Sequence, residues 1–333
     1  MRIILLAAFS AAVFAANTGD QPLNDLPDGG YKTTIRDWAH PPGGAPWAAV
    51  TAVEAAPDGS IYVIHRCHDN SCAGRHEPPI LKFDASGKLL KAWGEDMFIF
   101  PHGATVDAQG NLWVTDEQSK DGKGEQVFKF SPEGRVLMTL GKAGVASSET
   151  GLFDQPTDVA IAANGDIFVT EGHSPTPANN RVQKFDKTGK FLKSWGHTGS
   201  GPGEFNAPHS IALDSRGRVL VADRNNNRIQ IFDQDGRYID TWKQWGRPSG
   251  IFIAKDDTMY VADSESWGKD EPGWKKGIRI GSAKDGSVKY FIEDMESTTE
   301  EHSGAEGVGV DRAGNVYGAV VRRQMLEKHV KSR

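Results

Sequence analysis

The chain has 333 residues, enough for one large core or two ordinary ones, and a net charge of −6. That balance leaves no basic footprint and excludes nucleic acid as an expected partner. Its 38 glycines and 9 tryptophans, with turn signals throughout, favour an all-β domain over helices.

The opening MRIILLAAFSAAVFAANTGD joins Arg2 to an apolar stretch from Ile3 to Phe14, ending in Val13-Phe14-Ala15. Residues 1–16 read as a secretory signal peptide cleaved near Ala15 or Ala16, so a secreted or periplasmic protein is expected. A membrane anchor is the competing reading, but the run is shorter than the ~20 residues a span needs. No later segment is apolar enough to cross a bilayer, and residues 17–333 are expected to form a single domain. The only cysteines, Cys67 and Cys72, lie in HRCHDNSCAG. In an oxidising compartment a local disulfide is the natural reading. Two free thiols, or a Cys/His metal site using His65 and His68, are alternatives.

From Thr51 an internal repeat begins. Each unit has a short apolar strand, a turn ending in glycine, a second strand such as NLWVTD or RVLVAD, a third such as RVQKFDK, and a fourth near Trp-Gly. The fourth-strand endings recur as GKLLKAWG (87–94), GRVLMTLG (134–141), GKFLKSWG (189–196) and GRYIDTWKQWG (236–246). Four antiparallel strands per roughly 45–50 residues is the pattern of a propeller blade. Five units run from Thr51 to about Asp294. A sixth starts at GAEGVGVDRAGNVYGAVV and lacks its fourth strand, whereas YKTTIRDWAH (31–40) matches a fourth-strand ending. The prediction is a six-bladed β-propeller closed by an N-terminal strand, with seven blades the alternative. Such closure leaves no long unpaired edge.

One position in each frame carries chemistry. Following the proline, or its equivalent, stand Thr51, His102, Thr157, His209, Ser249 and Glu306. The strand that follows is innermost in a propeller, so these six side chains are expected at one mouth of the channel. His102, His209 and Glu306 come from alternate blades and would converge on the axis from three sides. Two imidazoles and a carboxylate on one face suit a catalytic zinc, or the facial triad of non-haem iron. Glu306 sits in GAEG rather than a Pro-His frame, and His302 is its competitor.

Several stretches then carry a resemblance: VIHRCHD, FPHGATVDAQGNLWVTD, FDQPTDVAI, GPGEFNAPHSIALDSRGRVLVADRNNNRIQIF and GKFLKSWG. Spread over most of residues 50–235, they resemble the catalytic domain of the peptidyl-α-hydroxyglycine α-amidating lyases (peptidylamidoglycolate lyases), a family of NHL-repeat propellers. The resemblance implies zinc held by three histidines and cleavage of a carbinolamide to an amide and glyoxylate. His102 and His209 match two of the zinc histidines, Arg66 the catalytic arginine and Arg224 a second active-site arginine. The chain departs from the family in two places. Glu306 replaces the third histidine, and Gly307 replaces the acidic residue of a structural calcium site, leaving calcium open. His173, in TEGHSPTPANNR, stands where the family has a catalytic tyrosine.

A metal beside Arg66 and Arg224 suits a small-molecule or peptide substrate with a carboxylate, since a guanidinium fork matches its two oxygens. His173 would move the proton. Salt bridges from the arginines to Asp116, Glu117, Glu171 or Asp223 are the structural alternative. His65, His68, His76 and His197 read as loop histidines. The same parts could hydrolyse a lactone or ester, and a non-catalytic binding propeller is a third reading. The insertion SESWGKDEPGWKKG (264–277) is expected to cover either the channel or a blade edge.

Overall fold

A computed structural model describes residues 22–173, 179–267 and 273–332. The proposed signal peptide lies outside the described residues. The described residues form six four-stranded antiparallel sheets, which is the six-bladed propeller expected. The innermost strands of blades one to six are Val50–Ala55, Pro101–Val106, Pro156–Ile161, Pro208–Leu213, Pro248–Ile253 and Ala305–Val310. Each packs against the next, and the sixth against the first. The last sheet takes its outer strand from the N-terminal side: Thr33–Ile35 pairs antiparallel with Lys328–Val330. Thr34 Oγ1 and His329 Nδ1, 2.9 Å apart, link the two across that seam.

Local chemistry explains the strands and their turns. At the blade-two hairpin, Asp107 Oδ1 accepts the backbone N–H groups of Gln109 and Asn111. Gly110 closes the same turn at φ +83°, a conformation glycine adopts without a Cβ penalty. The recurrent tryptophans bind blade to blade. Trp93 packs edge-on against Tyr62 of its own blade and Phe130 of the next, at 6.0 and 6.3 Å between ring centroids. Trp195 likewise packs edge-on against Phe168 of its own blade and, tilted, against Phe232 of the next. Burying each such ring stabilises the ring of blades by about 2–3 kcal/mol.

Cys67 and Cys72 form a disulfide, which removes the Cys/His metal reading. His65 is not a loop histidine: it ends the strand Ile61–His65 and is buried, its ring edge-on to Trp47. Every residue of that strand is buried, because both faces of a blade pack against its neighbours. Among the described residues no helix is long and apolar enough to cross a membrane.

Candidate metal centre

The six positions singled out above are the second residues of the six innermost strands. In each, the pairing register shifts at that point. Pro208 opposes Asp223 and Ser210 opposes Ala222, so His209 has no partner residue. The shift spans Thr51, Thr157, Ser249 and Glu306 in their blades, and both His102 and Gly103 in blade two. A bulge leaves its extra residue unpaired and re-aims the side chain. Here it sets six residues at one level of the channel: His102, His209 and Glu306 turn toward one another, while the hydroxyls of Thr51, Thr157 and Ser249 bond to neighbouring groups.

The spacer blades orient the histidines. His102 Nδ1 lies 2.8 Å from the Thr157 carbonyl, and His209 Nδ1 lies 2.9 Å from the Ser249 carbonyl, each on the following blade. A carbonyl only accepts, so both Nδ1 atoms carry hydrogen and both Nε2 atoms present lone pairs. Those Nε2 atoms are buried and have no hydrogen-bond partner, and the same holds for Glu306 Oε1. Glu306 Oε1 stands 3.5 Å from His102 Nε2 and 3.8 Å from His209 Nε2. The structure therefore brings His102, His209 and Glu306 together. His173 joins them: its ring is 5.0 Å from His102 and 5.1 Å from His209, and the three imidazoles offer ligand atoms within 4.8 Å of one another. His302 is elsewhere, half-buried and 2.6 Å from Glu296.

Burial, reinforced by the charges of Arg66 or Arg224, holds His102, His209 and His173 well below the usual imidazole range, and so neutral. Neutral imidazole is the form that binds a metal. Burial pushes the Glu306 carboxyl up, with Arg66 opposing. Orphaned lone pairs of two imidazoles and one carboxylate, spaced 3.5–3.8 Å, fit a divalent zinc or iron.

The arginines are not tied up by the acids at the strand ends. Asp116 accepts backbone N–H groups of Ile99 and Phe100, Glu171 pairs with Arg181, and Asp223 pairs with Arg228. Arg66 stacks 3.5 Å over Phe100 and donates from Nη1 to Asn70 Oδ1, 2.7 Å away, while its buried Nη2 has no partner. Arg224 reaches His173 Nε2 at 3.5 Å and Glu265 at 4.0 Å, and its buried Nε has no partner. Arg247 escaped the sequence reading, and Glu117, read there as a possible partner of the arginines, faces the histidines instead. Arg247 lies 3.4 Å from Glu265, and Glu117 sits between His102 and His173 at 3.6 and 3.4 Å. Behind the histidines a central cavity of about 240 Å³ runs on past Glu54 and Asp158. Residues 268–272 of the insertion lie outside the described residues, which leaves its covering role undescribed; Trp267 beside them lies under Lys276 and Arg322.

Fold and site define a six-bladed propeller with an imidazole–carboxylate centre on its axis. A family model described as NHL repeat matches residues 205–232, in blade four. A mouse peptidyl-glycine alpha-amidating monooxygenase is 39% identical over 157 residues, which is 44% of this chain and 15% of that protein. The peptidyl-alpha-hydroxyglycine alpha-amidating lyase 2 of Drosophila melanogaster is 33% identical over 196 residues, 53% of this chain and 45% of the relative. Human NHL repeat-containing protein 3 is 36% identical over 172 residues, 50% of this chain and 46% of the relative. The matches thus span less than half the length of these curated relatives. In fold, a gluconolactonase from Xanthomonas campestris superposes with a TM-score of 0.60 at 14% identity, covering 95% of this chain and 98% of that one. A streptogramin B lyase gives 0.57 at 15% identity, covering 89% and 96%. At such identities the likeness is one of fold. The chain is a six-bladed β-propeller with an NHL-repeat match in blade four, and its sequence resembles the amidating lyases.

Proposed function

We propose that the protein is an exported metal-dependent lyase that cleaves the C–N bond of an α-hydroxyglycine-type carbinolamide or a related small carboxylate-bearing substrate. One observation carries the reading: the lone pairs of His102 Nε2, His209 Nε2 and Glu306 Oε1 meet, unpartnered and buried, beside two buried arginines with unused N–H groups. Lyase-named relatives support the reaction class, and the disulfide fits an oxidising compartment.

His102, His209 and Glu306 would hold zinc or iron, which when bound supplies Lewis acidity at a substrate oxygen. The rest falls to the chain's own side chains. Arg66 Nη2 and Arg224 Nε would take the substrate carboxylate, each gaining the hydrogen bond it lacks. His173 is the most open of the site's histidines, its side chain 27% exposed against 3% for His102, so it meets substrate from the mouth. Neutral His173 accepts the proton of the carbinol hydroxyl, and Glu117 Oε1, 3.4 Å from its Nδ1, steadies the imidazolium. The C–N electrons leave with nitrogen, which takes up the proton, giving an amide and glyoxylate. Glu306 in place of a third histidine and His173 in place of a tyrosine alter the basicity of the centre without changing which atoms move.

The test is glyoxylate release from an N-acyl-α-hydroxyglycine and from an α-hydroxyglycine-ended peptide by the metal-loaded chain. Turnover that disappears in His173→Ala supports the reading. Hydrolysis of lactones or esters alone would assign the site to a hydrolase, and no turnover of any of these would leave a binding propeller.

A further inference from the structure

Glu117 follows directly on the strand Leu112–Asp116, with its backbone N–H bonded to the Phe100 carbonyl at 3.0 Å. Its side chain is buried to 1% exposure. Oε1 faces His173 Nδ1 at 3.4 Å. Oε2 is buried without a hydrogen-bond partner, and it faces His102 Nε2 at 3.6 Å. Because His102 carries its hydrogen on Nδ1, that contact sets one lone pair against another. Glu306 Oε1 does the same against both histidines at 3.5 and 3.8 Å. These separations exceed a hydrogen bond, and acceptor atoms of four side chains left without hydrogen-bond partners in one buried site suit a cation among them. Donor atoms around a tetrahedral ion with ~2.0–2.2 Å bonds stand ~3.3–3.6 Å apart, close to the spacing found.

We propose that Glu117 is a fourth protein ligand of the axial metal, making a centre of two imidazoles and two carboxylates. The inference rests on the metal reading above and adds a residue to it. Through Oε2 Glu117 binds the ion, and through Oε1 it orients His173, so one side chain ties the metal to the proton-moving histidine. Two carboxylates cancel the charge of a divalent ion and harden the donor set, which favours iron(II) or manganese(II) relative to a three-imidazole site.

The test uses the full chain, stripped with a chelator and reloaded with zinc. Affinity is measured by competition titration for the wild type and Glu117→Gln, with circular dichroism to check folding. Glu117→Gln should lose more than the 10–100-fold that removal of an outer partner costs. A crystal of the zinc-loaded wild type, which needs no variant to fold, should place the anomalous peak ~2.0–2.2 Å from a Glu117 oxygen. An ion centred more than ~3 Å from Glu117, or a Glu117→Gln affinity within about tenfold of wild type, overturns the assignment and leaves the His102–His209–Glu306 centre standing. Failure of the wild type to bind zinc, iron or manganese overturns both.

Discussion

His102 Nδ1 donates to the Thr157 carbonyl, 2.8 Å away on the neighbouring blade. The bond shows what the spacer blade contributes to the histidine before it. The spacer contributes its backbone oxygen, which sets the tautomer, while its own hydroxyl turns aside: Thr157 Oγ1 donates to the Pro208 carbonyl at 2.7 Å. Gly103 lets the two blades approach, since a Cβ there would lie 2.4 Å from that same Thr157 oxygen. Gly103→Ala should therefore displace the acceptor, lower metal affinity by about 10–100-fold, and leave the propeller folded. Competition titration beside circular dichroism checks this.

Arg66 and Arg224 hold buried N–H groups with no partner. Lysine keeps the charge but not the fork. Arg66→Lys and Arg224→Lys should each raise KM for a carboxylate-bearing substrate by about 10–100-fold, corresponding to ~1.5–3 kcal/mol for a hydrogen bond to a charged group. A neutral amide analogue of the substrate should show no such difference between wild type and variants.

The disulfide loop steadies Arg66 through Asn70, whose Oδ1 accepts from Nη1 at 2.7 Å. A Cys67→Ser/Cys72→Ser variant should bind substrate about 3–10-fold more weakly while keeping its metal, because one neutral-acceptor bond to a charged group is loosened rather than lost. Elemental analysis and KM measured on the same preparation separate the two effects.

Acid should open the ring at its seam. Burial, with the charge of Arg36, pushes the His329 imidazole down to about 4. The unfolded chain takes up that proton near pH 6.5, so the unfolded state binds more protons between these values. The contribution is intact above pH 6.5 and is lost as the pH falls toward 4. At pH 4.5 wild type should have lost about 2–3 kcal/mol more stability than His329→Gln, relative to pH 7, in urea melts. Equal losses in both would show that the seam does not titrate.

Much of the architecture was legible because the repeat is. Turn glycines and the Trp-Gly endings reported blades, and the unmatched strand at 31–40 reported how the ring closes. The alternation of His102, His209 and Glu306 was legible as position in a frame. What aims them is a bulge, and a shift of one residue in pairing leaves no mark on composition. Glu117 and Arg247 stood outside the repeated frame, in loops whose course depends on neighbouring blades. His65 was misplaced because its neighbour Arg66 and the following cysteines suggested a loop, whereas burial against Trp47 makes it part of a strand.

On this reading His102, His209 and Glu306 hold a metal on the propeller axis. The most direct measurement is metal content by elemental analysis of purified wild type, His209→Ala and Glu306→Ala, each after reconstitution. About one zinc or iron per chain is expected in wild type, lost from both variants, because each substitution removes a donor of the axial trio. No metal in the reconstituted wild type would contradict it.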